Sequence, residues 1–348
     1  MEKSCVNSAG SGTKIYLGKV ETAFVYLSAA EGIYSSLQAR AAKHAGSCTL
    51  LWALAVLSFH PHPPLSYADP RAAEHSAGDV TFVVGREKQQ VFAHRCVLAC
   101  RCQAFRGMLT SNEDPLSSVP AQGPFILGNV QPEVFLAVIE FLYTNSVTLN
   151  SHTVLEVLTS SVEYGLQDLC KLCVEFIKDT LSVEQVCEAL QAAVTYGQAD
   201  LQKHCLAFIE SYTMAVVQTR GFHELSDTVL ARVLRSDHLA ADELDLVQAV
   251  REWAHVSSAV LGRPVPEVAA LPVQELRLPL LAPSELATLE SQNQRDLLIP
   301  VDSIAAAWRS HALRCGSGVP PHLCRPRHGT RPRNHHRHLD PHSKLGAG

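Results

Sequence analysis

No stretch of this chain is apolar for long enough to cross a bilayer. The longest apolar run, residues 49–59 (TLLWALAVLSF), has 11 residues, and a membrane-spanning helix needs about 20. No membrane partner is expected, and a buried or partner-binding helix accounts for that run. No basic segment followed by an apolar one opens the chain, which argues against a secretory leader. The net charge is only −5, so the chain as a whole lacks the positive field that a nucleic-acid partner calls for. A Ser-His-Asp elbow, a Gly-rich phosphate loop and a metalloprotease helix are all missing. Catalysis has no residues to stand on. We expect no enzyme, no cofactor and no resident metal.

Cysteine looks like an exception, at 11 residues, but the count is odd and the placement is wrong for a disulfide scaffold. Cys170, Cys173, Cys187 and Cys205 fall at helical spacings inside apolar periodic segments, where a thiol behaves as a small buried hydrophobe. Cys96 and Cys100 stand one helical turn apart with Cys102 nearby, yet no second pair at zinc-ligand spacing completes a site. Cys170-x-x-Cys173 has redox-like spacing but lies mid-helix between Leu169 and Leu172, not after a strand. These features predict a thiol-reduced, intracellular protein, cytoplasmic or nuclear.

What is present is an ordinary globular composition, 47% apolar and 18% charged, with length for one large core or two ordinary ones. No period of 20–50 residues repeats, so solenoid repeats and propeller blades are absent from the sequence. Residues 1–77 show no settled pattern and read as a poorly ordered extension, with one short helix near residues 33–44. Val80-Thr81-Phe82-Val83-Val84 and Gln90-Val91-Phe92-Ala93 flank a polar turn and predict a hairpin. Leu98, Cys102, Phe105 and Leu109 recur at four, three and four residues, which predicts one helix. A polar loop over residues 111–123 leads to a short strand at Pro124-Phe125-Ile126-Leu127. Pro132 then opens a helix with Phe135, Val138, Ile139 and Leu142 on its buried face.

From Ser151 onward the periodicity is helical. Gly165 stands where a left-handed cap is expected, and Gly197 ends a later helix. Ser182-x-x-Gln185 has the form of a capping box, and Ser226 and Asp242 occupy N-cap positions. Residues 264–283 are spaced by prolines, and a last amphipathic helix covers about residues 302–313. From Arg314 to the end, seven Lys and Arg face one Asp, without apolar periodicity. Residues 314–348 therefore read as a basic, disordered tail. Its histidines (His328, His335, His336, His338 and His342, near Cys324) are read as solvated, with adventitious metal binding as the alternative. Its arginines Arg325, Arg327, Arg331, Arg333 and Arg337 offer charge to phosphate or to an acidic partner.

Several motifs agree in order with one family. Asp79-Val80-x-Phe82-x-Val84, Phe92-Ala93-His94-Arg95-Cys96-Val97-Leu98, Pro132-Glu133-Val134-Phe135 and Phe141-Leu142-Tyr143-Thr144 together resemble a BTB/POZ domain. Leu190-x-x-Ala193, Leu201-x-x-x-Cys205, Phe222-x-Glu224-Leu225-Ser226, the segment 243–253 and Leu276-Arg277-Leu278-Pro279-Leu280-Leu281 resemble the BACK domain that follows BTB in many adaptors. The implied fold class is α+β: a small BTB sheet-and-helix module at 78–181, then an all-α BACK domain at 182–290. An additional helix at 291–313 and the tail complete the organisation.

The resemblance further implies a protein-protein interaction adaptor, either a substrate adaptor for a cullin-3 ubiquitin ligase or a non-ligase scaffold that self-associates as a BTB homodimer. The partner-binding residues it implies are Asp79, Arg95, Phe105, Leu109, Glu113 and Tyr143. Asp79 and Arg95 match the family's interior charge pair near the dimer groove. They either shape a groove for partner peptides or form a structural ion pair fixing the hairpin to the following helix. Two positions depart from the family pattern. Residues 66–78 contain Pro70 and lack the amphipathic stripe of the usual opening helix, and the loop that carries Glu113 has Ser111 where cullin-binding members have a hydrophobic residue.

Overall fold

The computed structural model describes residues 13–16, 78–110, 124–314 and 318–339. They fall into two compact units, 1–180 and 181–348. The helix expected near residues 33–44 lies outside the described residues, and so does Glu113.

In the first unit, β2 (Val80–Val84) and β3 (Gln89–Ala93) form the expected antiparallel hairpin, with Val80 opposite Ala93. Its turn depends on Gly85, which has φ 73° and no room for a side chain, because a Cβ there would sit 2.9 Å from the Pro132 ring. β4 (Phe125–Leu127) joins the other edge of β2 in parallel. A parallel neighbour needs a crossover, and the helices after β3 supply it. Along β2 the alternation drives Val80, Phe82 and Val84 inward. Phe82 is fully buried, with ring centroids 5.9, 5.5 and 5.0 Å from Phe105, Phe125 and Phe135.

Two local expectations fail here. The single helix through Leu98 and Leu109 is two, α1 (Arg95–Arg101) and α2 (Gln103–Thr110), broken where Cys102 turns extended at φ −140° and ψ 121°. Its apolar stripe is nevertheless wholly buried. Side-chain bonds on both sides of the break hold it. The Arg101 Nε donates to the Leu142 carbonyl at 3.2 Å and the Cys102 thiol to the Tyr164 carbonyl at 3.3 Å. The second surprise is β5 (Ser146–Leu149), which follows α3 (Pro132–Thr144) through left-handed Asn145, φ 55°. It pairs antiparallel with β1 (Thr13–Tyr16), inside the extension expected to lack order. α4 (Val154–Glu163) and α5 (Gln167–Thr180) close the unit around Gly165, φ 69°.

The second unit is helical. α6 (Val186–Thr195) and α7 (Ala199–Ser211) form a hairpin about Gly197, φ 67°. Ser182 does not cap α6. Its carbonyl accepts from the Gln185 and Val186 amides, so the expected capping box is a turn one step before the helix. Short α8 (Thr213–Val216) and α9 (Arg220–His223) lead to α10 (Asp227–Leu234) and the long α11 (Glu243–Leu261). Trp253 on α11 is buried, and its indole N–H donates to the Leu225 carbonyl at 2.9 Å. α12 (Val265–Val268) and two 3-10 turns, Pro272–Glu275 and Leu278–Leu280, occupy the proline-spaced segment. α13 (Pro283–Asp296) runs through the domain border expected at residue 290, and α14 (Val301–Leu313) follows.

The expectation of a disordered basic tail fails for residues 318–339, which form an arm packed on this unit. The arm holds a 3-10 turn (Pro321–Cys324) and α15 (His336–Leu339). Cys324 and Leu339 bury against Leu280, with Val319 alongside. Composition misled because the arm's arginines are matched to carboxylates: Arg327 and Glu243 pair at 3.0 Å with both side chains 0% exposed.

Candidate functional site: partner-binding surfaces

Of the six residues proposed from sequence as partner contacts, Glu113 lies outside the described residues and the other five separate into three groups. Phe105 and Leu109, at 0% and 3% exposure, belong to the core. Phe105 stacks on Tyr164 at 4.8 Å and meets Phe135 edge-on at 6.3 Å. Tyr143, 3% exposed, is an internal latch between α3 and the start of α1. Its hydroxyl accepts the His94 amide and meets the His94 Nδ1, each at 2.8 Å. Burial pushes that phenol up to about 12. A partner touches none of these three without opening the unit. Helical periodicity marks buried faces, and Phe105 and Leu109 lie on one.

Asp79 and Arg95 do come together, but not as an interior charge pair. Asp79 is exposed and Arg95 half-buried. The Asp79 carboxylate accepts the Arg95 backbone amide at 2.6 Å, satisfying one of the free N–H groups at the start of α1. The guanidinium of Arg95 donates to the Leu109 carbonyl at 2.8 Å, near the end of α2. Between them opens a surface recess of about 310 Å³, lined also by Gln90, Phe92 and Phe125. Phe92 on β3 and Ile126 on β4 are 42% and 77% exposed, so the outer sheet face offers apolar area next to a carboxylate.

The larger concavity lies in the second unit and was not anticipated. It encloses about 940 Å³, with Trp253 and Leu225 beneath and Arg220, Glu224 and Arg263 at its margin. Val256 and Val260, one helical turn apart on α11, line it and are 42% and 78% exposed. An apolar floor with a charged rim suits a protein or peptide side chain. The signal was in the sequence: Val256, Val260 and Leu261 extend the apolar stripe of α11 beyond what the core needs.

Among the described residues no group of three or more His, Cys, Asp or Glu side chains is placed to hold a metal ion. Cys96 and Cys100 are exposed and Cys102 is buried. Burial pushes the Cys170 and Cys173 thiols up, the opposite of what a redox-active pair requires. No helix among the described residues is long and apolar enough to cross a membrane.

Comparison with known proteins agrees with this division. Residues 70–181 match the BTB/POZ domain family, and residues 186–290 match the BACK family, described as BTB And C-terminal Kelch. The chain is 59% identical over 262 residues to BTB/POZ domain-containing protein 19 of Bos taurus, covering 75% of this chain and 89% of that protein. The Homo sapiens protein of the same name is 58% identical over the same shares. BTB/POZ domain-containing protein 9 of Homo sapiens is 29% identical over 251 residues, 66% of this chain and 40% of that one.

Proposed function

Because the chain belongs to the family of BTB/POZ proteins in which a BACK domain follows, we propose that it is an adaptor coupling a protein substrate to a cullin-3 ubiquitin ligase. The coarser role, protein-protein interaction, is what its two modules carry. One observation carries the finer reading: the BTB match ends at residue 181 and the BACK match begins at 186. An interaction domain is thus followed at once by a stack of antiparallel helices, an arrangement suited to positioning and not to chemistry. In this reading the BTB surface and the α6–α7 hairpin contact the cullin, while the concavity floored by Trp253 receives the substrate. Calorimetric titration of the full chain with the purified cullin-3 N-terminal domain tests it. Heat of binding at micromolar concentration is expected, and silence at tens of micromolar ends the proposal.

A second reading, a self-associating scaffold, is favoured by the β1–β5 pairing. β5 gains its partner strand from a segment far upstream in the chain, and a backbone ladder of this kind forms equally well with a strand from another molecule. Light scattering across a concentration series is expected to show a dimer that is lost on deleting residues 1–20. A monomer at every concentration would remove this reading.

A further inference from the structure

The arm that the sequence marked as solvated is seated like a bound peptide. It contains one pattern twice, Arg325-Pro326-Arg327 and Arg331-Pro332-Arg333, six residues apart. Each unit meets carboxylates of the helical unit. Arg325 reaches Asp237 at 2.9 Å and Arg327 reaches Glu243 at 3.0 Å. Arg331 lies 3.6 Å from Asp245, and its amide donates to Asp242 at 2.9 Å. Arg333 is held by both oxygens of Asp242, at 3.1 and 2.8 Å, and by Glu285 at 2.9 Å. Between the units, Arg327 and Thr330 close a turn, and the chain docks by its backbone. The His328 and Gly329 amides donate to the Asp237 and Leu239 carbonyls, both at 2.9 Å. Gly329 lies so close to the receiving loop that a Cβ there would fall 2.1 Å from the Ala241 nitrogen.

The pocket for Arg327 reads arginine and not merely positive charge. Beside Glu243, the guanidinium donates to the carbonyls of Leu234, of Ser236 at 2.7 Å and of Glu275 at 2.8 Å. A lysine ammonium has neither the planar fork nor the number of donors to satisfy that set. Arg277, from the helical unit itself, ties the receiving carboxylates together. Arg277, 2% exposed, binds Asp237 at 2.5 Å, its amide donates to Glu243 at 2.6 Å, and it offers another N–H to the Arg325 carbonyl at 2.6 Å.

The arm's hold is incomplete, which is what a displaceable ligand requires. Arg325 and Arg331 remain 64% and 67% exposed. The Nε2 atoms of His311 and His335 are buried without a hydrogen-bond partner, and each such burial costs about 1–3 kcal/mol. We propose that the seam formed by Asp237, Asp242, Glu243 and Glu285 is a receptor for extended peptides carrying two Arg-Pro-Arg units six residues apart. Residues 325–333 are its internal occupant, and a partner segment of the same chemistry displaces them. This recognition site is independent of the cullin reading and survives its failure.

The experiment uses the full chain with a specific protease site in place of residues 315–317, cut after folding, so that the arm stays as a non-covalent ligand. A fluorescein-labelled synthetic peptide of residues 318–339 is the probe, read by polarisation. The cut protein is expected to exchange its arm for the probe, and a probe carrying Arg327→Lys is expected to bind at least about tenfold more weakly. In the uncut chain, Gly329→Ala is expected to free the seam and admit the wild-type probe, which the uncut wild-type chain excludes. No exchange after cutting, or equal binding of the lysine probe, overturns the proposal. So does loss of the helical unit's cooperative unfolding when the arm leaves, because the arm would then be core and not ligand.

Discussion

Phe82 in the first unit and Arg327 in the second both lose essentially all contact with water, at 0% and 3% exposure, and opposite physics holds them there. Phe82 sits among three other rings, where burial itself is the driving force and no polar partner is required. Arg327 sits in a shell of one carboxylate and three carbonyls, where burial costs several kcal/mol and only a complete set of partners offsets it. The apolar site accepts an apolar replacement of similar volume. The polar site does not, so it is selective about what occupies it. An apolar core suits a permanent scaffold, and a polar one suits recognition.

Two substitutions break the comparison at its strongest points. Phe82→Ala removes the central ring of the first unit and is expected to cost about 3–5 kcal/mol in urea unfolding. A loss below about 1 kcal/mol would mean that the aromatic cluster is not the core. Arg327→Ala strands Glu243 in a water-free site, at an expected cost of about 3 kcal/mol or more to the helical unit. The two differ in how they are repaired. Pairing Arg327→Met with Glu243→Gln removes both charges of the pair and keeps an acceptor for the Arg277 amide, so most of the loss should return. If the double variant is as unstable as the single one, Arg327 acts through packing and the contrast with Phe82 collapses.

Acid sharpens the same contrast through two half-buried histidines, one in the arm and one beside it. His335 is held down at about 4 by burial first and then by the nearby His311, His336 and Arg333 charges, against a weaker opposing bond to the Pro279 carbonyl. His311 is lowered by burial and by His336, while a bond to the Leu281 backbone opposes the shift. A histidine whose value falls on docking favours the docked, neutral form. Arm binding is therefore full above about pH 6.5 and weakens as pH falls from there towards 4, by at most about tenfold per pH unit for each proton. Despite burial, Arg333 holds Asp242, and Arg277 and Arg325 hold Asp237, below the usual carboxylate range, so those groups act only at still lower pH. Probe affinity of the cut chain at pH 7, 6 and 5 measures this, and His335→Asn should flatten the response. An unchanged affinity across that range in the wild-type chain would remove the histidines from the docking energy.

Period and turn chemistry made the first kind of site legible from the sequence. Phe135, Val138, Ile139 and Leu142 recur at helical spacing and are buried on α3; Val80, Phe82 and Val84 alternate and are buried on β2. Gly85, Gly165 and Gly197 all take the left-handed backbone. The break at Cys102 escaped because it leaves the apolar period intact, and β5 escaped because its partner lies so far upstream in the chain. The candidate contacts Phe105, Leu109 and Tyr143 came from the family resemblance, and they are apolar and aromatic positions, which in a folded domain are the hidden ones. The arm was illegible for a deeper reason. Charge has no periodicity that distinguishes a solvated arginine from one matched to a carboxylate more than eighty positions earlier, as Arg327 is to Glu243.

The smallest predicted effect is the one that isolates burial as the variable. Arg263 and Glu267 form an ion pair at 3.1 Å with side chains 52% and 55% exposed. The Arg327–Glu243 pair, at 3.0 Å, has both side chains 0% exposed. Distance and chemistry are nearly matched; access to water is not. Water already solvates both ends of the exposed pair, and salt screens what attraction remains. Glu267→Gln is therefore expected to change unfolding stability by no more than about 0.5 kcal/mol, and the difference should vanish in about 1 M salt. The buried pair should keep most of its effect in the same salt. Should Glu267→Gln cost as much as Arg327→Ala, the energy would reside in the ionic contact and not in its removal from water. The arm would then need no recognition pocket to explain its docking.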